Sequence, residues 1–404
     1  MLLCQISIHR AGSKLNSRED SSVLAPLRIP GQSIGGYIRL FGLSASLIFA
    51  LFSGSLSWSQ EKQPQKAGLS GGPELQRGIA LAQKGDFKNA ESVFEQAATL
   101  HPRDARALTA LGQVQEQLGK LPESIETFRK VIELDPLSPE AHENLGIALG
   151  DRTELAAALK ESTIATRLAP SSASAHFLRG RLLSDLGLHE EARDEFRRTL
   201  KIAPEDAQAL YFWAALEGDE GNTKVQANLL KRYVRLCPDQ ATAFDRLAHA
   251  LEEEHQQSEA IAAWRRAIAL NPQYAEAIYS LARVLERINP DESGQLMKRV
   301  QELEHNQQTI DRVNMLGNQA NEKIYGQNYK GAIDDLNNAI VLCGRCKLLG
   351  ALEKNLGLAY CHAGQLNAAE RELKVAETLV PEDASVEAAL QTVRQQRSQI
   401  PRGP

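Results

Sequence analysis

The chain has 404 residues, with 51 acidic and 46 basic side chains, a net charge of −5 and only 5% aromatic residues. So mild a balance lacks the basic footprint that holds nucleic acid phosphates, and nucleic acid is therefore not an expected partner. Apolar content is carried by Leu and Ala, a composition suited to closely stacked helices.

The N-terminal 1–39 segment carries Arg10, Lys14, Arg18, Arg28 and Arg39 against Glu19 and Asp20, and it shows no sustained apolar period. It is expected to be a basic, disordered segment. Residues 40–59 follow, with a run from Leu40 to Phe52 that is nearly all apolar and then small residues around Trp58. A basic stretch, an apolar run and a small-residue exit form a secretory signal, with cleavage expected after Ser59. Residues 40–58 also reach the ~17–25 needed to span a bilayer, so attachment to a membrane through an uncleaved anchor is the alternative. Serines and glycines make that a poor span. Both readings export the remainder, to the periplasm or the extracellular space, or hold it on the outer side of the inner membrane. No cysteine stands near the cleavage point, which argues against a lipid anchor. Residues 60–70, with Pro64, read as a linker.

From residue 71 the chain repeats. Pro102, Pro136, Pro170, Pro204, Pro238 and Pro272 stand at a constant spacing of 34 residues, and a fixed period of this size marks a repeat array. Windows ending two residues after each proline bring other residues into line. Gly78, Ala90, Phe94 and Ala97 recur as Gly112, Ser124 and Phe128, then as Gly180, Ala192 and Phe196, then as Ala248, Ala260, Trp264 and Ala267. Small residues at two slots allow two helices to cross closely, and the large apolar residue fills the space between them. Gly85, Gly119, Gly187 and Gly221 fall midway, where a helix end favours the left-handed conformation. Proline ends the second helix, since it lacks an N–H and disfavours helical geometry before it.

This combination of slots resembles the tetratricopeptide repeat family. The resemblance implies an all-α fold, a right-handed α-α superhelix of about nine helix-turn-helix repeats whose first helices line a concave groove. Seven repeats occupy 71–308, the last of them degenerate because Gly294 and Lys298 replace the small and aromatic residues. Two more occupy 309–383 after short insertions. Residues 384–404 hold a cap helix and tail, with Val386, Ala389, Leu390 and Val393 at helical spacing. Stacked arrays need such caps, because no single hairpin buries its apolar face alone.

Cysteine chemistry concentrates in the eighth repeat. Cys343 and Cys346 flank a turn, and Cys361 and His362 follow in the next helix. A disulfide between Cys343 and Cys346 that staples the turn is the favoured reading, with free thiols, a redox dithiol and zinc as alternatives. Against zinc, adjacent residues on a helix point about 100° apart. No metal or cofactor site is assigned. The chain shows no His-Glu-x-x-His pattern, phosphate-cradling glycine loop or nucleophile elbow, and it reads as a non-enzyme.

Binding is the natural use of a groove. The second, fifth, ninth and twelfth residues of each window share one face of the first helix. In the middle windows these slots give Phe177, Arg181, Tyr211, Asp245, His249, Tyr279 and Arg283, where aromatic residues interleave with arginine as they do in interaction hot spots. The expected function is a non-catalytic scaffold that takes a partner polypeptide in the groove. The alternative is a targeting or assembly subunit of an envelope or secretion complex, acting through its outer surface and an irregular 289–312 region. The carboxylate clamp of some relatives is not expected, because Leu75 and Ile79 stand where its first lysine and asparagine would be.

Overall fold

A computed structural model describes residues 72–398. The expected basic segment, signal or anchor, the linker and the last residues of the tail lie outside this range. Among the described residues all regular structure is helical, in eighteen helices. In the first part of the chain these are α1 (Pro73–Gln83), α2 (Phe87–Leu100), α3 (Ala105–Gln117), α4 (Leu121–Leu134), α5 (Pro139–Asp151) and α6 (Leu155–Leu168). They continue as α7 (Ala173–Asp185), α8 (His189–Ile202), α9 (Ala207–Asp219), α10 (Thr223–Leu236), α11 (Ala241–Glu253) and α12 (Gln257–Leu270). The last six are α13 (Ala275–Leu285), α14 (Pro290–Tyr325), α15 (Tyr329–Cys343), α16 (Leu349–His362), α17 (Leu366–Leu379) and α18 (Ala384–Ser398). The chain divides into two compact units, the first ending at Asn271 and the second beginning at Pro272. Within each unit consecutive helices pack pairwise as helix-turn-helix repeats.

The period of 34 residues has a local cause at four of the six proline boundaries. Two residues beyond the proline stands the N-cap of the next first helix. Asp104, Ser138, Ser172 and Asp206 accept hydrogen bonds from the backbone N–H groups of Arg106, Ala141, Ala175 and Ala209. Stopping one helix and capping the next therefore fit within a tripeptide, which fixes the connection length.

Inside each hairpin the crossing is set by volume. Phe94, Phe128, Phe196 and Trp264 are all fully buried in the second helix, and each faces the first helix of its own pair. A Cβ placed on Gly112 would stand 2.6 Å from Phe128 Cε1, so only glycine lets the ring seat there. Ala90, Ala158, Ala192 and Ala260 are likewise fully buried.

The turn within each hairpin of unit one uses one left-handed residue. Gly119 takes it with φ 75°, and the equivalent residues one and four repeats later, Thr153 and His255, take it with φ 65° and 59°. Side chains with a Cβ are strained in this conformation.

The second unit departs from the expected layout. The region 289–312 is not irregular. It belongs to α14, a single helix of 36 residues that serves as the second helix of one hairpin and the first helix of the next. Its early part packs on α13, where Ser293 Oγ donates to the Ala282 carbonyl at 2.8 Å. Its later part packs on α15 and α16 through Val313 and Ala320. The proline series fails here at Asn306, and the surrounding Glu, Gln and His residues carry neither a stop nor a cap, so the helix runs on. No residue between Val300 and Val313 is buried, so this span bridges two packed ends through solvent. The cap helix α18 closes the unit with Val386, Leu390 and Val393 against Leu373 and Ala376 of α17.

Thr153→Gly and His255→Gly should each raise the stability of the chain by about 1 kcal/mol, because glycine relieves the left-handed strain while giving back part of the gain in unfolded-chain entropy. Urea denaturation of each variant against the parent measures this, and a loss of stability would contradict the strain argument.

Candidate functional site

The first helices of unit one present a row of polar side chains that are unusually well covered. On α3, Gln113 is 3% exposed and Glu116 is 9% exposed, one helical turn apart on the same face. Gln113 Oε1 and Glu116 Oε1 are both buried and receive no hydrogen bond. Burial, reinforced by the nearby Asp151 charge, pushes the Glu116 carboxyl up to about 8. On α5, Glu143 is buried and accepts a hydrogen bond from Ser174 Oγ of α7 at 3.1 Å. Burial raises its pKa too, and the hydrogen bond from Ser174 opposes part of that rise.

On α7, Arg181 is 9% exposed and its Nε lies 3.7 Å from Asp185 Oδ2. Burial lowers the Arg181 pKa and raises that of Asp185, while Asp185 and Asp151 pull Arg181 back toward its usual value. Asp151, Asp185 and Asp219 end their helices at the repeat spacing. The face is thus acidic, with Arg181 as a central cation.

An aromatic group adjoins it. Phe177 sits with its ring centroid 5.6 Å from Phe212 and 6.3 Å from Phe196. At 8% exposure it packs between neighbouring hairpins. Tyr211 is half-buried, edge-on to Phe212 and 5.2 Å from Tyr233, with the Arg246 guanidinium 5.2 Å over its ring. Such a guanidinium is attracted to the ring face. The guanidinium of Arg181 lies 5.8 Å from the Phe212 centroid.

The other sequence-derived residues are placed as follows. Asp245 is buried and accepts from Trp264 Nε1 at 3.1 Å, a contact inside its own hairpin. His249 is half-buried, edge-on to Trp264, with its Nε2 3.6 Å from Asp245 Oδ1. Tyr279 and Arg283 are exposed and belong to the second unit. Sequence reasoning passed over Gln113, Glu116 and Glu143. They occupy the ninth, twelfth and fifth slots of windows two and three, so the same spacing rule reaches them, but polar residues at such slots read as solvated until their burial is known.

In the second unit Cys343 and Cys346 form a disulfide across the turn after α15. Cys361 Sγ donates to Gln396 Oε1 at 3.5 Å, and burial raises its pKa. His362 stacks on Tyr329 at 5.6 Å, so the two neighbours do point apart. Among the described residues no group of three or more His, Cys, Asp or Glu side chains is arranged to hold a metal ion.

Paired helices at a period of 34 residues, with closely packed small and aromatic slots, define a helical repeat protein whose first helices form a continuous polar and aromatic face in unit one. Residues 75–139, 143–207 and 246–299 match the tetratricopeptide repeat model, so these segments carry tetratricopeptide repeats. No curated protein matches it. Similar solved structures include pilF of Pseudomonas aeruginosa, at 17% identity over 52% of this chain and 96% of that one, with a TM-score of 0.47. The type IV pilus biogenesis factor PilW matches at 19% identity over 52% and 96%, TM-score 0.47. YrrB, a TPR protein with an unusual peptide-binding site, matches at 17% identity over 46% and 96%, TM-score 0.39.

Glu116 also sets a pH dependence. Its carboxyl holds its proton to about 8 in the folded chain, against an ordinary value of 4.5. Between those values the unfolded chain releases a proton that the folded chain keeps, so stability falls as pH rises and levels off above about 8. Glu116→Gln removes this dependence. The variant should match the parent near pH 4 and exceed it near pH 8 by about 3 kcal/mol, taking ~1.4 kcal/mol for each tenfold change in proton affinity and a discount for relaxation. Urea melts at the two pH values test this, and an equal difference at both would contradict it.

Proposed function

We propose that the chain is a non-catalytic scaffold that holds an extended segment of a partner polypeptide against the first-helix face of α3, α5, α7 and α9. The observation that carries this reading is the pair of buried, unpartnered acceptors Gln113 Oε1 and Glu116 Oε1. Leaving a buried acceptor unsatisfied costs about 1–3 kcal/mol, and a donor from outside recovers it once the side chains that cover it move aside. An extended peptide carries N–H donors at regular intervals. The adjoining Tyr211 and Arg181 offer the aromatic and guanidinium contacts that dominate binding energy at interfaces.

Export belongs to the same reading. It is supported by the basic, apolar and small-residue order of 1–59 and by the Cys343–Cys346 disulfide, since such bonds persist in oxidising compartments. N-terminal sequencing of the native protein should then begin at Gln60.

Peptides selected from a random displayed library on the immobilised full chain test the groove. Enriched peptides should bind Tyr211→Ala and the double variant Gln113→Leu/Glu116→Leu at least tenfold more weakly. Circular dichroism should show both variants folded, because Leu replaces unsatisfied polar groups without a void. Failure to enrich any peptide, or undiminished binding by both variants, would overturn the proposal.

A further inference from the structure

A cavity of about 660 Å³ opens between α6 and α8 over the start of α7, on the side of the second helices and away from the acceptors of α3. Four cations line it: Arg167 from α6, Arg179 from α7, and Arg198 and Lys201 from α8. No carboxylate stands in the lining. Beneath it Glu195, 3% exposed, is shared by His176 Nδ1 at 2.5 Å, Arg179 Nη1 at 2.7 Å and Arg198 Nη1 at 2.9 Å. Arg167 and Lys201 have no ion-pair partner among the described residues. Arg179 Nε is buried and donates to nothing.

The repeat supplies an internal comparison. A cavity of about 610 Å³ occupies the same place two repeats earlier, between α2 and α4. There Thr99, Leu111, Lys130 and Glu133 replace Arg167, Arg179, Arg198 and Lys201, and Glu95 replaces Thr163. One cation against two carboxylates has become four cations and no carboxylate. The cavity therefore follows from the repeat geometry, whereas its charge belongs to this pair of repeats. Arg179 sharpens the point, because windows two, three, five and six hold Leu111, Leu145, Trp213 and Leu247 at that slot, and the Arg77 of the first window is exposed. A guanidinium has entered a packing position and kept one donor free.

We propose that this cavity binds a phosphoryl group, free on a small ester or carried on a partner's side chain. Cations gathered around one buried carboxylate repel one another, and an incoming anion relieves that repulsion. A phosphoryl group brings about −1.5 to −2 charge at pH 7 and three acceptor oxygens, enough for several guanidinium donors at once. Arginine forks match such oxygens in pairs. This site does not rest on the reading of the first-helix face.

Calorimetric titration of the full chain with pyrophosphate, and with a phosphoserine peptide beside its unphosphorylated parent, tests the proposal. Saturable binding is expected for at least one phosphorylated probe and not for the parent peptide. The probe that binds more tightly identifies the source. Arg179→Leu and Arg167→Gln should each weaken that binding tenfold or more, and Lys130→Gln, in the equivalent earlier cavity, should leave it unchanged. Arg179→Leu installs the residue found at that slot as Leu111, Leu145 and Leu247, and the exposed Arg167→Gln carries the test if Arg179→Leu does not fold. Absence of saturable binding, or an equal loss with Lys130→Gln, would overturn the assignment.

Discussion

Everything in this chain depends on how closely two helices of a hairpin can cross. A glycine or alanine on the first helix and a small residue on the second bring the backbones together, and one aromatic ring closes the gap. Gly78 with Phe94, and Gly112 with Phe128, show the constraint at its tightest, since a Cβ on either glycine would meet the ring at 2.4 or 2.6 Å. Interiors packed this densely tolerate little change in volume. With the crossing fixed, the outer and inner faces of each hairpin are fixed too, and side chains at equal slots recur at equal positions.

That regularity gives the departures their meaning. A repeat spends its small, aromatic and proline slots on construction, so the remaining positions vary without cost to the fold. Buried polar residues on α3, α5 and α7, and a guanidinium at a leucine slot on α7, add nothing to the crossing. Their cost in desolvation is plain from the raised pKa values of Glu116 and Glu143 and the lowered one of Arg181. Unit one thus carries polar groups on its first-helix face that are covered but incompletely satisfied, beside an aromatic group centred on Tyr211.

The fold was largely legible because its determinants are local. Proline stops a helix, the residue two positions later caps the next, and glycine turns the hairpin; each acts within a few residues. What could not be read was what depends on absence or on burial. At Asn306 nothing stops the helix, and a polar stretch expected to be irregular continues as α14. Thr153 and His255 fill a glycine turn that their residue types do not announce. Phe177 and Asp245 share the first-helix face by spacing, and only the structure shows that one packs against Phe196 and Phe212 and the other accepts from Trp264. Gln113 and Glu116 obeyed the same spacing, and only their covered, unpartnered oxygens distinguish them from solvated residues.

The claim at the centre of this account is that a buried acceptor on α3 stands ready for a donor from outside the chain. The most direct measurement is a carbon-13 NMR titration of the Glu116 side-chain carboxyl in the full chain, alone and with a selected peptide. The account predicts a midpoint at about 8 for the free protein and a clear downward shift when peptide donors reach the oxygen. A midpoint near the ordinary 4.5, or one that bound peptide leaves unmoved, would contradict it.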